Sequence, residues 1–219
     1  MLKLAVFDLD GTLKQAPDPY VYLHERLETL EAAEVFTARG LSGEIPYDEW
    51  LRLDTGLWTG TPRSVLVRHL HENPYLPGAR ETVAALKAAG VIVAIISSGL
   101  LLHAQMVAKE LGIGPVIGNE LFFDGEDDPL VTGQVRTHCP YGAKRPILEQ
   151  MQAQLRVTPA ETLAVGDTRS DLGLFELAAV KVAVNPNHPQ VAAAADIVLP
   201  DGDLQPLLGR LRVVAPHLW

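Results

Sequence analysis

The sequence predicts an α/β protein, a doubly wound parallel sheet of Rossmann-like type with a small all-helical insertion after its first strand. Short runs of apolar, partly β-branched residues at 4–7, 91–96, 162–165 and 180–184 have the length and continuous hydrophobicity of strands buried on both faces. Segments of helical periodicity separate these runs, the alternation that builds a parallel sheet. The alternation is interrupted once, between residues 14 and 76, where no strand pattern appears.

The first run ends in Asp8 and Asp10, and the following Gly11 turns the chain because glycine tolerates backbone angles that other residues avoid. Ligands of open α/β sheets sit just beyond the carboxyl ends of the strands, which makes this turn the first candidate site. Two prolines at 17 and 19 mark a linker. Residues 20–39 then read as one amphipathic helix, with Leu23, Leu27, Leu30 and Val35 at helical spacing and Gly40 as its stop. A second helix is expected over 47–57 and a third from Thr61-Pro62 to about residue 72, with threonine as cap and proline in the first turn. Asn73-Pro74 and Pro77-Gly78 return the chain to the sheet. The expected organisation is therefore a core of residues 1–13 and 77–219 with an insertion of residues 14–76.

In the core, a helix over 79–89 leads to the strand at 91–96, and a helix over 100–111 follows. Extended pieces at 121–123 and 130–131 flank an acidic turn at 124–129, which reads as a hairpin or flap outside the core with a solvated tip. Helices at 143–155, 171–178, 189–195 and 204–211 alternate with strands at 162–165, 180–184 and 197–199.

A chain of 219 residues with 47% hydrophobic and 21% charged residues suits one sizeable soluble core. Its net charge of −9 excludes a binder of nucleic-acid backbone, which needs a concentrated basic face. The apolar runs are too short for a signal peptide or a membrane span, so a cytoplasmic protein is expected. The single cysteine, Cys139, excludes an internal disulfide and a cysteine-cluster zinc site. A thiol nucleophile would need a base facing it, and His138 is its neighbour in sequence rather than across a fold.

Four segments carry chemistry: Asp8-Leu9-Asp10-Gly11-Thr12, then Ser97-Ser98-Gly99 after an apolar strand, then Lys144 at the start of a helix, then Gly166-Asp167-Thr168-Arg169-Ser170-Asp171. Taken singly, each has an ordinary structural explanation: an Asp-Gly turn, a helix-capping serine, a surface lysine, an acidic helix start. Taken together and in this order, they resemble the haloacid dehalogenase (HAD) superfamily, specifically the phosphatases of its phosphoserine phosphatase branch, over nearly the whole chain.

The resemblance implies a Mg²⁺-dependent hydrolase of a small phosphorylated metabolite that works through an aspartyl-phosphate. Asp8 is then the nucleophile, and Asp10 protonates the leaving group and later deprotonates water. The metal site comprises Asp8, Asp10 through its carbonyl, Asp167, and Asp171 directly or through water. Ser97 binds a phosphoryl oxygen, with Ser98 as the alternative hydroxyl, and backbone amides of Ser98 and Gly99 add donors. Gly11 and Thr12 complete the phosphate-binding loop. Lys144 neutralises Asp8 and the phosphoryl group, with Arg145 as the alternative register. The same resemblance makes residues 14–76 a small helical cap over the site.

For the substrate, the branch uses a glutamate soon after the first motif and an arginine in the cap. Here no glutamate occurs before Glu25, Arg52 and Arg63 are the candidate arginines, and Asp54 stands close to the expected position. Trp50 and Trp58 either line the cap's inner face or form its core. A dehalogenase needs neither a second acid nor a metal, so Asp10, Asp167 and Asp171 disfavour it. A phosphomutase and a non-catalytic binding protein on the same fold remain the other readings.

Overall fold

Every residue of β1 (Leu4–Phe7) is buried, and the two faces of this strand feed two different cores. The computed structural model describes residues 1–216. Ala5 and Phe7 point to one side, among Val83, Leu86, Val107, Leu207 and Leu211, while Leu4 and Val6 point to the other, among Leu148, Met151, Leu174, Phe175 and Val191. Period-two alternation of a strand that is apolar throughout thus produces helices on both faces.

After β1 come α1 (Pro19–Arg26), α2 (Leu30–Leu41), α3 (Tyr47–Gly56) and α4 (Arg63–Glu72). The core resumes with α5 (Ala79–Ala88), β2 (Ile92–Leu100), α6 (Leu101–Leu111), β3 (Val116–Asp124), β4 (Leu130–Arg136) and α7 (Lys144–Leu155). It closes with β5 (Thr162–Gly166), the short α8 (Leu172–Phe175), β6 (Val180–Val184), α9 (Pro189–Ala194), β7 (Ile197–Leu199) and α10 (Leu207–Val214). Among the described residues the strands form one seven-stranded sheet in the order β4-β3-β2-β1-β5-β6-β7, parallel except for the edge pair β3–β4. No helix among the described residues is long and apolar enough to cross a membrane.

The structure corrects three expectations. The helix expected over 20–39 is two, α1 and α2, because Glu28 adopts a left-handed φ of 57° and turns the chain, although the leucine spacing runs on through the break. The expected flap belongs to the sheet: Val116 and Ile117 pair in parallel with Ile95 and Ile96, and β4 adds antiparallel to β3. Gly118, Asn119 and Glu120 interrupt the apolar run of β3 and hide its strand signature. The helix expected over 171–178 is a 3₁₀ turn at Arg169–Asp171 followed by the four-residue α8.

Residues of α1, α3 and α4 pack in a third apolar cluster with the end of β2, α6, β3 and β4: Tyr20, Leu23, Trp58, Leu66 and Leu70 meet Leu100, Leu102, Leu121 and Val131. Main-chain bonds fasten this layer to β4, from Gly60 N–H to Val131 O at 2.8 Å and from Arg63 N–H to Pro129 O at 2.8 Å. Trp58 is fully buried in that cluster and is a core residue, whereas Trp50 is half-buried and packs over Gly40.

Candidate active site

Strand register gathers the acids. Phe7 on β1 is level with Val165 on β5 and with Ile95 on β2, so Asp8, Asp167 and Ser97 leave neighbouring strands at nearly the same height. The Asp8 N–H donates to Val165 O at 2.9 Å and locks this alignment. Carboxylate oxygens of Asp8, Asp167 and Asp171 come within 4.8 Å of one another, and all three residues are buried.

Lys144, at the first position of α7, inserts among them. Its Nζ lies 2.9 Å from Asp8 Oδ1 and 2.6 Å from Asp171 Oδ1, and the residue is 1% exposed. Arg145, the alternative register, is turned outward and pairs with Glu176 at 2.9 Å. Burial works against the Lys144 ammonium, but Asp171 and Asp8 outweigh it and raise its pKa. Burial also pushes the Asp8 carboxyl up to about 7, with Lys144 pulling it back and Asp171 and Asp10 adding to the rise. Asp167 is pushed up to about 9 by burial, then by Asp8 and Asp171. One lysine therefore does not balance this cluster. An all-oxygen set of crowded, destabilised carboxylates fits a hard divalent cation.

The acids are individually held. Asp8 Oδ1 accepts from Lys144 and from Leu9 N–H at 2.7 Å. Thr12, expected at the phosphate, donates its hydroxyl to Asp167 Oδ1 at 2.8 Å and so orients a carboxylate of the cluster. Gly11 has φ +79°, and a Cβ there would collide with the Asp167 carboxylate. Asp171 Oδ2 accepts from the N–H groups of Asp167 and Thr168 at 3.0 and 2.9 Å, and Oδ1 accepts from Lys144. Asp171 thus clasps the loop to the lysine.

Across from the acids, Ser97 is 2% exposed and its Oγ accepts from Gly99 N–H at 2.9 Å. The Ser98 hydroxyl lies 3.7 Å from Cys139 Sγ and 3.5 Å from Ser170 Oγ, whereas Ser97 Oγ and Asp10 Oδ2 both border the Cβ position of Gly99. Burial pushes the Cys139 thiol up, away from the thiolate a nucleophile requires. Arg52 is not brought to this site: it is exposed on α3, whereas Asp54 on the same helix is buried. Arg63 is also exposed, with its guanidinium 5.8 Å from the Phe123 ring.

Comparison with known proteins places the chain as a whole. The family of haloacid dehalogenase-like hydrolases matches residues 5–176. The chain belongs to this family. Among its relatives, a phosphoserine phosphatase of Idiomarina loihiensis is 31% identical over 212 residues, covering 95% of this chain and 93% of the relative. A phosphoserine phosphatase of Archaeoglobus fulgidus is 30% identical over 84% of this chain, which spans 52% of that longer protein. A solved structure described as a phospho-aspartyl intermediate analogue of phosphoserine phosphatase superposes with a TM-score of 0.79 at 27% identity, covering 95% of this chain and 98% of the other.

Three residues at this HAD site escaped the sequence reading. Tyr47 on α3 donates its hydroxyl to Ser98 O at 3.1 Å, and Asn119 on β3 donates to the same carbonyl at 2.7 Å while accepting from His138 and Cys139 N–H. They tie the end of β2 to the helical layer and to the loop after β4. His103, in the first turn of α6, lies 3.0 Å from Asp10 through Nδ1. None belongs to a local motif, and a lone polar residue in a helix or edge strand gives no signal of what it faces.

Proposed function

We propose that the chain is a Mg²⁺-dependent phosphomonoesterase that hydrolyses a small phosphorylated metabolite through a phosphoaspartate at Asp8. The observation that carries this reading is the convergence of Asp8, Asp167 and Asp171 around Lys144 at the carboxyl end of the sheet. The solved relative described as a phospho-aspartyl analogue supports the same intermediate. Asp8 Oδ1 is occupied by Lys144 and Leu9, which leaves Oδ2 to approach phosphorus. Lys144 and the Ser97 hydroxyl hold the phosphoryl oxygens, and Asp10 supplies the proton to the ester oxygen and takes one from water. Mg²⁺ held by Asp8, Asp167 and the Asp10 carbonyl, with Asp171 behind them, would neutralise the carboxylates and the phosphate charge.

Residues 14–76 serve in this reading as a cap that encloses the substrate, since Pro19 and Tyr47 sit against Gly99 and Ser98. The phosphate ester, rather than nucleic acid or membrane, is the partner, and the buried free cysteine suits the cytoplasm. The test is hydrolysis of p-nitrophenyl phosphate with Mg²⁺ and then with EDTA, in the wild type and in Asp8→Asn. Chelation and the substitution should each abolish turnover. Activity that survives either one overturns the proposal.

A further inference from the structure

We propose that His103 is a positioning residue for Asp10, and that it determines which oxygen of that carboxyl carries the catalytic proton. The inference rests on the reading of Asp10 as the acid–base residue. His103 is 1% exposed, and its Nδ1 lies 3.0 Å from Asp10 Oδ1. Asp10 Oδ2, by contrast, is buried without a hydrogen-bond partner among the described residues. The two oxygens are therefore inequivalent before any substrate arrives.

The position of Oδ2 gives the inequivalence a purpose. A Cβ built on Gly99 would lie 2.8 Å from Asp10 Oδ2 and 3.1 Å from Ser97 Oγ. Oδ2 and the Ser97 hydroxyl thus converge on one point over Gly99, which Pro19 closes at 2.7 Å and where only a residue without a Cβ fits. An ionised carboxylate only accepts, so when Asp10 is ionised the His103 nitrogen that meets it carries the hydrogen. With Oδ1 taken by that donor, the proton of the acid form sits on Oδ2.

The chemistry then balances on one atom. Asp8 forms a bond to phosphorus as the ester P–O bond breaks. The electron pair of that bond stays on the ester oxygen, which takes the proton from Asp10 Oδ2. Water next bonds to phosphorus through its oxygen, gives its proton back to Oδ2, and the bond from phosphorus to Asp8 breaks. Throughout both steps His103 keeps its own proton and holds Oδ1.

A purely structural role accounts poorly for this histidine. Its Nε2 is buried and unpartnered among the described residues, a cost that an apolar side chain would avoid. The ring borders a cavity of about 410 Å³ whose wall mixes Leu70, Met106 and Val107 with Lys14, His71, Lys109 and Glu110. Among the described residues the ring's one hydrogen bond goes to Asp10.

The experiment measures kcat/KM with Mg²⁺ for p-nitrophenyl phosphate and for phenyl phosphate, whose leaving group is more basic and needs the acid more. His103→Leu should lose roughly 10- to 100-fold more on phenyl phosphate than on p-nitrophenyl phosphate, part of the range for general acid catalysis. His103→Asn, which keeps an N–H donor, should recover most of the difference, and Asp10→Asn should show the same bias more strongly. Equal losses on both substrates for His103→Leu, beside a biased Asp10→Asn, overturn the role of His103 alone. An unbiased Asp10→Asn overturns the reading of Asp10. Imidazole ¹⁵N NMR of the wild type provides a measurement independent of variant folding: an Nδ1–H signal for His103 that changes in Asp10→Asn is expected, and an Nε2–H tautomer refutes the proposal.

Discussion

Lys144→Met tests how the buried acids are held together. The substitution keeps most of the side-chain volume and removes the ammonium that lies 2.9 Å from Asp8 Oδ1 and 2.6 Å from Asp171 Oδ1. Both partners stay buried, and breaking such a pair from one side costs about 3–5 kcal/mol. For a chain of this length each kcal/mol moves the melting temperature by about 2–4 °C, so the metal-free variant should melt about 6–20 °C below the wild type. The loss has a pH dependence with a definite sign. Lys144 is the contact that lowers the Asp8 pKa, so removing it raises that folded-state pKa further. A raised carboxyl pKa means stability present at low pH and lost as pH rises, so the deficit should be larger at pH 8 than at pH 5. Circular-dichroism melting in EDTA at the two pH values measures this directly. A variant that melts within about 1 °C of the wild type at both pH values would refute the claim that Lys144 balances the cluster.

Two further outcomes follow from the same geometry. In the metal-free wild type, Asp8 and Asp167 are pushed from 3.8 to about 7 and about 9, so stability is fully present below about pH 4 and is lost as pH rises through those values. The rise in melting temperature on adding Mg²⁺ should therefore be greater at pH 9 than at pH 5, and an equal rise would contradict the assignment. Thr12→Val removes the 2.8 Å hydrogen bond to Asp167 Oδ1 and should weaken Mg²⁺ activation by about 10- to 100-fold in the metal concentration required. A metal titration of turnover that superposes on the wild type would show that Thr12 does not orient the ligand.

Local chemistry made the main site legible. Asp8, Ser97 and Asp167 each end a run of apolar residues, and such a run is a strand whose carboxyl end faces the crevice, so their convergence follows from parallel pairing alone. The break at Glu28 was hidden because leucine spacing continues across it, and β3 was hidden because its buried and polar residues alternate irregularly. Arg52 was misleading for a related reason: its neighbours on α3 are buried, but it lies on the exposed side of that helix.

By itself the sequence determined the alternation of strands and helices, the helical insertion, and which acids stand at strand ends, because burial and periodicity act over a few neighbouring residues. Tertiary structure decided which side chains meet. Lys144 rather than Arg145 reaches Asp8, Thr12 holds Asp167 across 155 residues, and His103 holds Asp10 across 93. Contacts of that separation depend on strand order and helix rotation, which arise when the sheet closes and which no local pattern encodes.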